Sequence, residues 1–568
     1  MLDLRAYRLG FAPVVAALVV LAFSLQGVPE PLEPEAGTIE FDAETAIDTA
    51  RDLVRVAPER RPGSEGAGAA ADLVRNRFEG IASGSVAEQR FEGSVAGEDV
   101  ELRNVLLTLP GASDRAILVL AERGSRAGTG AAASAAATGT LLELAAELGV
   151  SGRERTLIFG SIDGAGAEAE GARELFAALP DRTEVDAALV ISQPGVSAPA
   201  PPHVITSSGG EERPSELLLQ TAGETLASRA QLPAGLDGPL GQVARLALPA
   251  AAGIQAALLE EGVDAVAISG AAEAPVAPAA GDEAPSQESL ERLGAATLAL
   301  VGALDAGPGP LGGAPETYVR LGDNTIPGWV LALLALALLA PPSLAVGRAL
   351  VRAGADRTSR AAMRWAGEWA VVAVVPLLAL YLFALAGLIP RPDVPYDPGR
   401  FDLGSTEVLA MVVLAGVAGA AWWALGLRRL PARPAPATLG AAAGAVCIAA
   451  CLVAWTANPF LALVLAPLAH VVMVHATPGR RAASLAVPVA AAAAVPLVAV
   501  VVHVGSALDW GAAAPWQLVV LVAGGGVGIL WAASLSVALA AVAAVVATAL
   551  RSRSAMGGDP QARSRGRP

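Results

Sequence analysis

Four histidines, two cysteines and a few grouped carboxylates are the residues of this 568-residue chain with chemical potential. A zinc centre needs about four N, S or O ligands at roughly 2 Å. Only His203 precedes residue 327, and it lies in the Pro-rich segment PAPPHVITSS, which reads as a surface loop. A Ser–His–Asp arrangement would have to join His203 to Ser207 or Ser208, which are too near in sequence to be persuasive. Glu122, Asp163, Glu168 and Glu170 could gather around a hard cation such as Ca²⁺. However, Glu168 and Glu170 are two residues apart, so a helix points them in different directions, and they read as a solvated helix start. Asp163 stands at a strand end just before that helix and could cap it. The Gly-rich GTGAAASAAATG (128–139) lacks the Lys and the fixed glycine spacing of a phosphate loop; its small residues suit a helix packed tightly on a sheet. Cys447 and Cys451, four apart in an apolar run, share one helix face and read as packing residues. Residues 30–306 contain no cysteine, which excludes a disulfide framework or a cysteine-rich metal knuckle there.

The elements that must position these groups follow from periodicity. Short apolar runs at 117–121, 156–162, 187–192 and 263–269 are flanked by polar or turn residues, as buried strands are. Helical spacing recurs at 43–56, 67–79, 138–148, 167–178, 215–229, 251–261 and 286–304. This alternation predicts an α/β three-layer sandwich with a mostly parallel sheet. Residues 270–284, rich in Ala and Pro, read as a surface loop, and 307–326 as a linker.

The rest of the chain is too apolar for water. Hydrophobic residues are 54% of the total and charged residues 16%. Every basic residue is Arg; with the Ala and Gly excess, this points to a GC-rich, bacterial genome. The net charge of -15 excludes a nucleic-acid partner, which needs a basic face. Runs long enough for a bilayer start near Gly10, Pro327, Trp369, Thr406, Pro436, Asn458, Leu485 and Trp516. The stretch 516–550 is interrupted by Gly524, Gly525, Gly526 and Gly528 and is expected to form one interrupted span. Arginines cluster before the first run, in alternate loops (Arg348–Arg364, Arg428–Arg433, Arg480–Arg481) and after the last. By the positive-inside rule both termini are cytoplasmic and the α/β domain is outside, in a multi-pass cell-membrane protein. His470, His475 and His503 lie within the spans, where helix-packing hydrogen bonds are the expected role.

Six segments in order resemble the co-catalytic di-zinc aminopeptidase family: RRPGSEGAGAAADLVRNRF (60–78), RNVLLTLPG (103–111), ILVLAERGS (117–125), GAAASAAATGTLLELAAEL (130–148), RTLIFGSIDGAGAEAEGAREL (155–175) and GVDAVAIS (262–269). The resemblance implies a zinc-peptidase-like domain, with the family's metal and catalytic positions falling on this chain's residues. The first His corresponds to Glu122 and the Asp two residues on to Gly124. The bridging Asp corresponds to Ala133, and DGEE has become Asp163-Gly164-Ala165-Gly166. The late His falls near Gln255. Methyl groups and bare backbone donate nothing to zinc, so no metal-bound water is acidified and no carboxylate at 165 takes its proton.

The expectation is therefore a catalytically inactive, peptidase-like membrane protein with no catalytic residues, no metal and no cofactor. Its partners would be the lipid bilayer and a protein or peptide ligand in the degenerate cleft. The layout is an anchor over 1–29, an α/β domain over 30–306, the linker 307–326, a seven-span bundle over 327–550 and a basic cytoplasmic tail over 551–568. It resembles the attachment subunit of the GPI transamidase complex, which implies a role in assembly and substrate presentation. Two other readings are an active zinc aminopeptidase with unrecognised ligands and a transport or lipid-handling bundle with an outer lid.

Overall fold

The computed structural model describes residues 2–557 except 34–39, 82, 96–97, 126–130, 165–168, 180–184, 196–201, 231–235, 272, 274–284, 312–314, 355–356, 393–400, 402, 428–435 and 477–479. The expected loop 270–284 thus falls mostly outside the described residues, as does the expected tail beyond 557.

The chain opens with α1 (Leu4–Leu9) and α2 (Phe11–Phe23), followed by the short strand β1 (Gln26–Gly27). Two helices then come in succession. α3 (Ala43–Val56) is capped by Asp42, which accepts from the Glu44 and Thr45 amides, and α4 (Glu65–Glu79) is capped by Ser64. The strands β2 (Ser85–Val95), β3 (Glu98–Leu109) and β4 (Ala116–Glu122) lead to α5 (Ala131–Gly149), β5 (Thr156–Ile162), α6 (Glu170–Ala177) and β6 (Val185–Ser192). The edge strand β7 (His203–Ile205) precedes α7 (Glu216–Arg229), α8 (Pro239–Ala247), α9 (Ile254–Glu260), β8 (Ala265–Ser269) and α10 (Gln287–Ala306).

These strands form one seven-stranded sheet, ordered β2-β3-β5-β4-β6-β8-β7. The sheet is mixed: its centre is parallel, as expected, and antiparallel pairs flank it. The four inner strands β5, β4, β6 and β8 are parallel neighbours; β3 pairs antiparallel with β5 and with β2, and β7 pairs antiparallel with β8. The long hairpin β2–β3 at one edge is joined too tightly for its two strands to run parallel. Two apolar layers sandwich the sheet. One contains Phe78, Val119, Leu141 and Phe159 against α3, α4, α5, α7 and α10; the other contains Leu118, Leu120, Leu175 and Leu258 against α6 and α9. The small residues of α5 serve a helix contact as well as a sheet contact. A Cβ on Gly139 would lie 2.3 Å from the Ala46 carbonyl of α3.

The expected linker 307–326 is instead largely ordered. It carries β9 (Tyr318–Leu321) and β10 (Asn324–Pro327), a hairpin turned at Gly322 (φ +63), and β10 pairs with β1. Among the described residues, eight helices are long and apolar enough to cross a membrane: Leu4–Phe23, Gly328–Ala353, Arg357–Leu385, Ser405–Ala424, Thr438–Ala457, Pro459–Ala476, Ser484–Ala507 and Ile529–Leu550. The third begins at Arg357 rather than Trp369, with Arg357, Arg360 and Arg364 exposed on its first turns. The expected single interrupted span over 516–550 is corrected too. Ala514–Gly524 is a separate 11-residue helix, ended by Gly525 at φ +86, and Ile529–Leu550 is a complete apolar helix. Gly524 lies so close to Pro392 that a Cβ would meet its carbonyl oxygen at 2.2 Å. Cys447 and Cys451 are buried and free.

Periodicity missed α8, because only nine residues form it and they lie on the bundle rather than the sheet. Its Ala244, Leu246 and Ala247 share an apolar cluster with Val330, Phe460 and Trp531. Asn458 donates to the Leu246 carbonyl at 2.7 Å while its own Oδ1 accepts from the Leu461 amide at 2.7 Å, and the Trp531 indole donates to the Ala247 carbonyl at 2.8 Å. Asn458→Leu is expected to destabilise the detergent-solubilised chain by about 1–3 kcal/mol, since it orphans buried backbone groups on both sides. Thermal unfolding should show the loss, and limited proteolysis should cleave around α8 faster than in the wild type.

Candidate functional site

The carboxyl ends of β4 and β5 lie side by side, with Glu122 opposite Ile162 in the parallel ladder. The residues just beyond those ends turn inward. The Arg123 side chain is 1% exposed, and its Nη1 donates to the Ser161 carbonyl (3.0 Å) and hydroxyl (3.1 Å). Its Nη2 donates to the Arg103 carbonyl and forms an ion pair with Asp163 Oδ2 at 3.2 Å. Asp163 also accepts from the Arg103 amide (3.2 Å) and the Gly164 amide (2.9 Å), where Gly164 takes φ +65. Asp163 therefore does not cap a helix, as expected from sequence; it is the counter-ion of a buried guanidinium. α6 starts later, at Glu170, and its N-cap Ala169 (φ 56) makes no side-chain cap bond.

A second guanidinium lies beside the first. Arg60 is wholly buried; it donates from Nε to the Arg123 carbonyl (2.9 Å), from Nη1 to the Ala57 carbonyl (2.7 Å) and from Nη2 to Ser134 Oγ (2.8 Å). Its backbone is tied to Ser125 in both directions. Burial lowers the Arg60 pKa to about 10; the Arg123 charge adds to this and Glu122 opposes it. Burial likewise lowers Arg123, against the opposing pull of Asp163.

This group brings together several of the positions marked by the sequence. Glu122 ends β4, half-buried, and its carbonyl accepts from Thr138 Oγ1 at 3.4 Å. A Cβ at Gly124 would lie 3.6 Å from both Glu122 Oε1 and the Arg60 carbonyl. Ala133 sits in the first turn of α5, adjacent to the Ser134 that holds Arg60. Ala165, Gly166 and Glu168 lie outside the described residues. Gln255 is buried on α9, where its Nε2 donates to the Ala252 carbonyl of its own helix start (2.7 Å). Glu170 packs against Gly93 of β2. His203 is not in a surface loop, contrary to expectation; it is the half-buried first residue of β7, paired in register with Ser269. Ser207 donates to Glu273 (2.6 Å) and Ser208 to the Glu212 carbonyl (2.8 Å), so neither hydroxyl is placed as a nucleophile for His203.

Sequence reasoning missed Arg60, Arg123 and Ser134. An Arg at a strand end ordinarily points to solvent, and nothing in ILVLAERGS marks this one as turned inward. Among the described residues, the donor set here does not fit a divalent metal ion. The one carboxylate fixed between the strands, Asp163, is already committed to Arg123, and two guanidinium charges would repel a cation. Among the described residues no three His, Cys, Asp or Glu side chains converge where they could hold a metal ion.

With a mixed seven-stranded α/β domain and eight apolar helices, the chain can be set beside known proteins. Neither a family model nor a curated relative matches it. Among solved structures it is similar over about half its length to a zinc aminopeptidase from Bacillus subtilis, with TM-score 0.39, 12% identity, and coverage of 47% of this chain and 95% of that one. It is also similar to a glutaminyl cyclase from an Acidobacteriales bacterium (TM-score 0.38, 17% identity, 49% and 99% covered). A third is an aminopeptidase from Aneurinibacillus sp. strain AM-1 (TM-score 0.39, 14% identity, 48% and 96% covered).

Removing Asp163 should leave Arg123 as an uncompensated buried charge. Asp163→Ala is expected to cost about 3–5 kcal/mol, whereas replacing both partners by apolar residues of similar volume should cost much less. Denaturant unfolding followed by near-UV dichroism would report both; equal losses in the single and double variants would contradict the buried-pair account.

Proposed function

We propose that this chain is a multi-pass cell-membrane protein whose α/β domain has a peptidase-type fold without its metal chemistry, and which binds a peptide or protein ligand in the former cleft. The observation that carries this reading is the pair of buried guanidinium groups at the ends of β4 and β5. The six family-like segments fall on α4, β3, β4, α5, β5 with α6, and β8, in the order an aminopeptidase fold needs. Where that family would gather ligands for zinc, Arg60 and Arg123 gather backbone carbonyls, a Ser hydroxyl and Asp163. A site organised this way fixes the strand ends rigidly without acidifying a water. Glu122 stays half-buried beside it, its charge facing that of Arg60. Such a domain suits presentation of a substrate, or assembly of a membrane complex, more than turnover.

The purified full-length chain should hold far less than one zinc ion per molecule and show no chelator-sensitive hydrolysis of aminoacyl or peptide substrates. Stoichiometric zinc together with chelator-sensitive turnover would overturn the reading. Topology has its own check. The two native cysteines are buried in the apolar bundle, so Val150→Cys, at a position 88% exposed, provides a single reactive thiol. A membrane-impermeant maleimide should label this thiol in intact cells; labelling only after permeabilisation would place the α/β domain inside.

A further inference from the structure

Among the described residues, a cavity lies apart from the β4–β5 site. It encloses about 540 Å³ where the first apolar helix leaves for the α/β domain and the second one starts. Gln26 of β1, Glu216 at the first turn of α7, and Glu316, Tyr318 and Thr325 of the β9–β10 region line it, with Trp329 at its rim. The walls are fixed. Arg213 and Glu316 exchange two backbone hydrogen bonds of 3.0 Å, and the Tyr318 hydroxyl donates to the Pro214 carbonyl at 2.8 Å.

The polar content of this cavity is lopsided. Glu216 and Glu316 are both carboxylates, and no Arg or His is among the lining residues. Glu216 Oε1 is completely buried and has no hydrogen-bond partner. Burial raises the Glu216 carboxyl to about 7; Arg320 opposes the rise and Glu316 adds to it. A buried acceptor of this kind is costly unless something donates to it. The surroundings on the other side are apolar and open. Trp329 is 59% exposed on the first turn of Gly328–Ala353, and Phe23 is 88% exposed at the end of Leu4–Phe23. Those two helices pack together. An exposed Trp where an apolar helix begins is the aromatic signature of a membrane–water boundary.

We propose that this cavity binds the primary-ammonium headgroup of a membrane lipid of the phosphatidylethanolamine class, with the ammonium donating to Glu216 and the acyl chains leaving past Trp329 and Phe23 into the bilayer. The ammonium supplies both the charge and the N–H donors that two carboxylates demand. A quaternary choline headgroup supplies the charge alone, and a glycerol headgroup supplies hydroxyl donors without the positive charge. A soluble amine shares the headgroup chemistry but gains nothing from the apolar rim. This inference rests on the membrane reading of the bundle, which is tested separately: a chain released from membranes by alkaline carbonate without detergent would defeat that reading first.

The experiment uses the full-length chain, delipidated in detergent and titrated with phosphatidylethanolamine, phosphatidylcholine or phosphatidylglycerol under native mass spectrometry. The ethanolamine lipid is expected to be retained selectively. Glu216→Gln should weaken its retention about tenfold, the scale of one charge-assisted hydrogen bond. Affinity should fall as pH drops below about 7, because protonation removes the charge on Glu216. If Glu216→Gln fails to fold, Trp329→Ala, which alters only an exposed side chain, still decides the matter: its lipid retention should drop at unchanged thermal stability. Equal retention of the three lipids, unchanged retention in both variants, or competition by glycerophosphoethanolamine at the concentration of the full lipid would each overturn the proposal; the last would reassign the site to a soluble amine.

Discussion

The α/β domain depends on keeping two guanidinium groups charged in its interior. Arg123 and Arg60 join β3 through the Arg103 backbone, β4 through the Arg123 carbonyl, β5 through Ser161 and Asp163, and α5 through Ser134. Burying such ions costs several kcal/mol each, so their value lies in the directional bonds they impose rather than in net attraction. Arg suits this role because its planar fork can serve several carbonyls at once, whereas a Lys offers a compact point charge. The chain has no Lys to offer in any case. The resulting site is a cation built from the chain itself, held where a loosely tethered pair of strand ends would otherwise separate.

A second constraint fixes the α/β domain on the helical bundle. A helix leaves its last four carbonyls without internal partners, and α8 ends at Ala247. The bundle supplies the missing donors: Asn458 for the Leu246 carbonyl and Trp531 for the Ala247 carbonyl. The cap of one domain's helix is thus provided by the other. His503 adds a contact at the same seam, with Nε2 3.1 Å from Asp237 Oδ1, and Gly241 of α8 leaves room for that imidazole ring. Asp237 is held below the usual carboxylate range: burial raises it, but the His503 hydrogen bond and the Arg245 and Arg213 charges lower it more. The cavity over Glu216 lies in this same seam, between two chain crossings that β1 and β10 tie together.

Much of this arrangement was legible in the sequence wherever local period and burial agree. The runs at 117–121 and 156–162 are continuous apolar stretches because β4 and β5 are covered on both faces; the structure extends the first by one residue at each end and matches the second. α3 matches its amphipathic pattern at 43–56 residue for residue. What escaped notice was set by tertiary partners. β2 alternates polar residues on a solvent-facing edge, so SVAEQRFEGSV carries too little apolar signal to mark a strand. α8 is short, and its inward face meets a bundle remote in sequence. Glu122, Gly124 and Ala133 could be singled out by the segments around them, but what fills the space between them could not. Arg60 and Arg123 read as ordinary surface arginines until the fold encloses them.

The bundle's few ionisable groups obey the same rule. The Tyr7 hydroxyl lies 2.7 Å from His470 Nδ1, and His470 Nε2 lies 2.9 Å from the Leu338 carbonyl, so one imidazole joins three helices. His475 lies 3.1 Å from the Thr548 hydroxyl, and Asp3 pairs with Arg352 at 2.6 Å. These imidazole, phenol and carboxylate groups are engaged with a neighbouring element, which is how a polar side chain is tolerated away from water. A proton path would need such groups to hand over their partners in turn, whereas here each bond fixes the position of a helix. These bonds tie the first apolar helix to the helices of Leu338 and His470, and the last to that of His475.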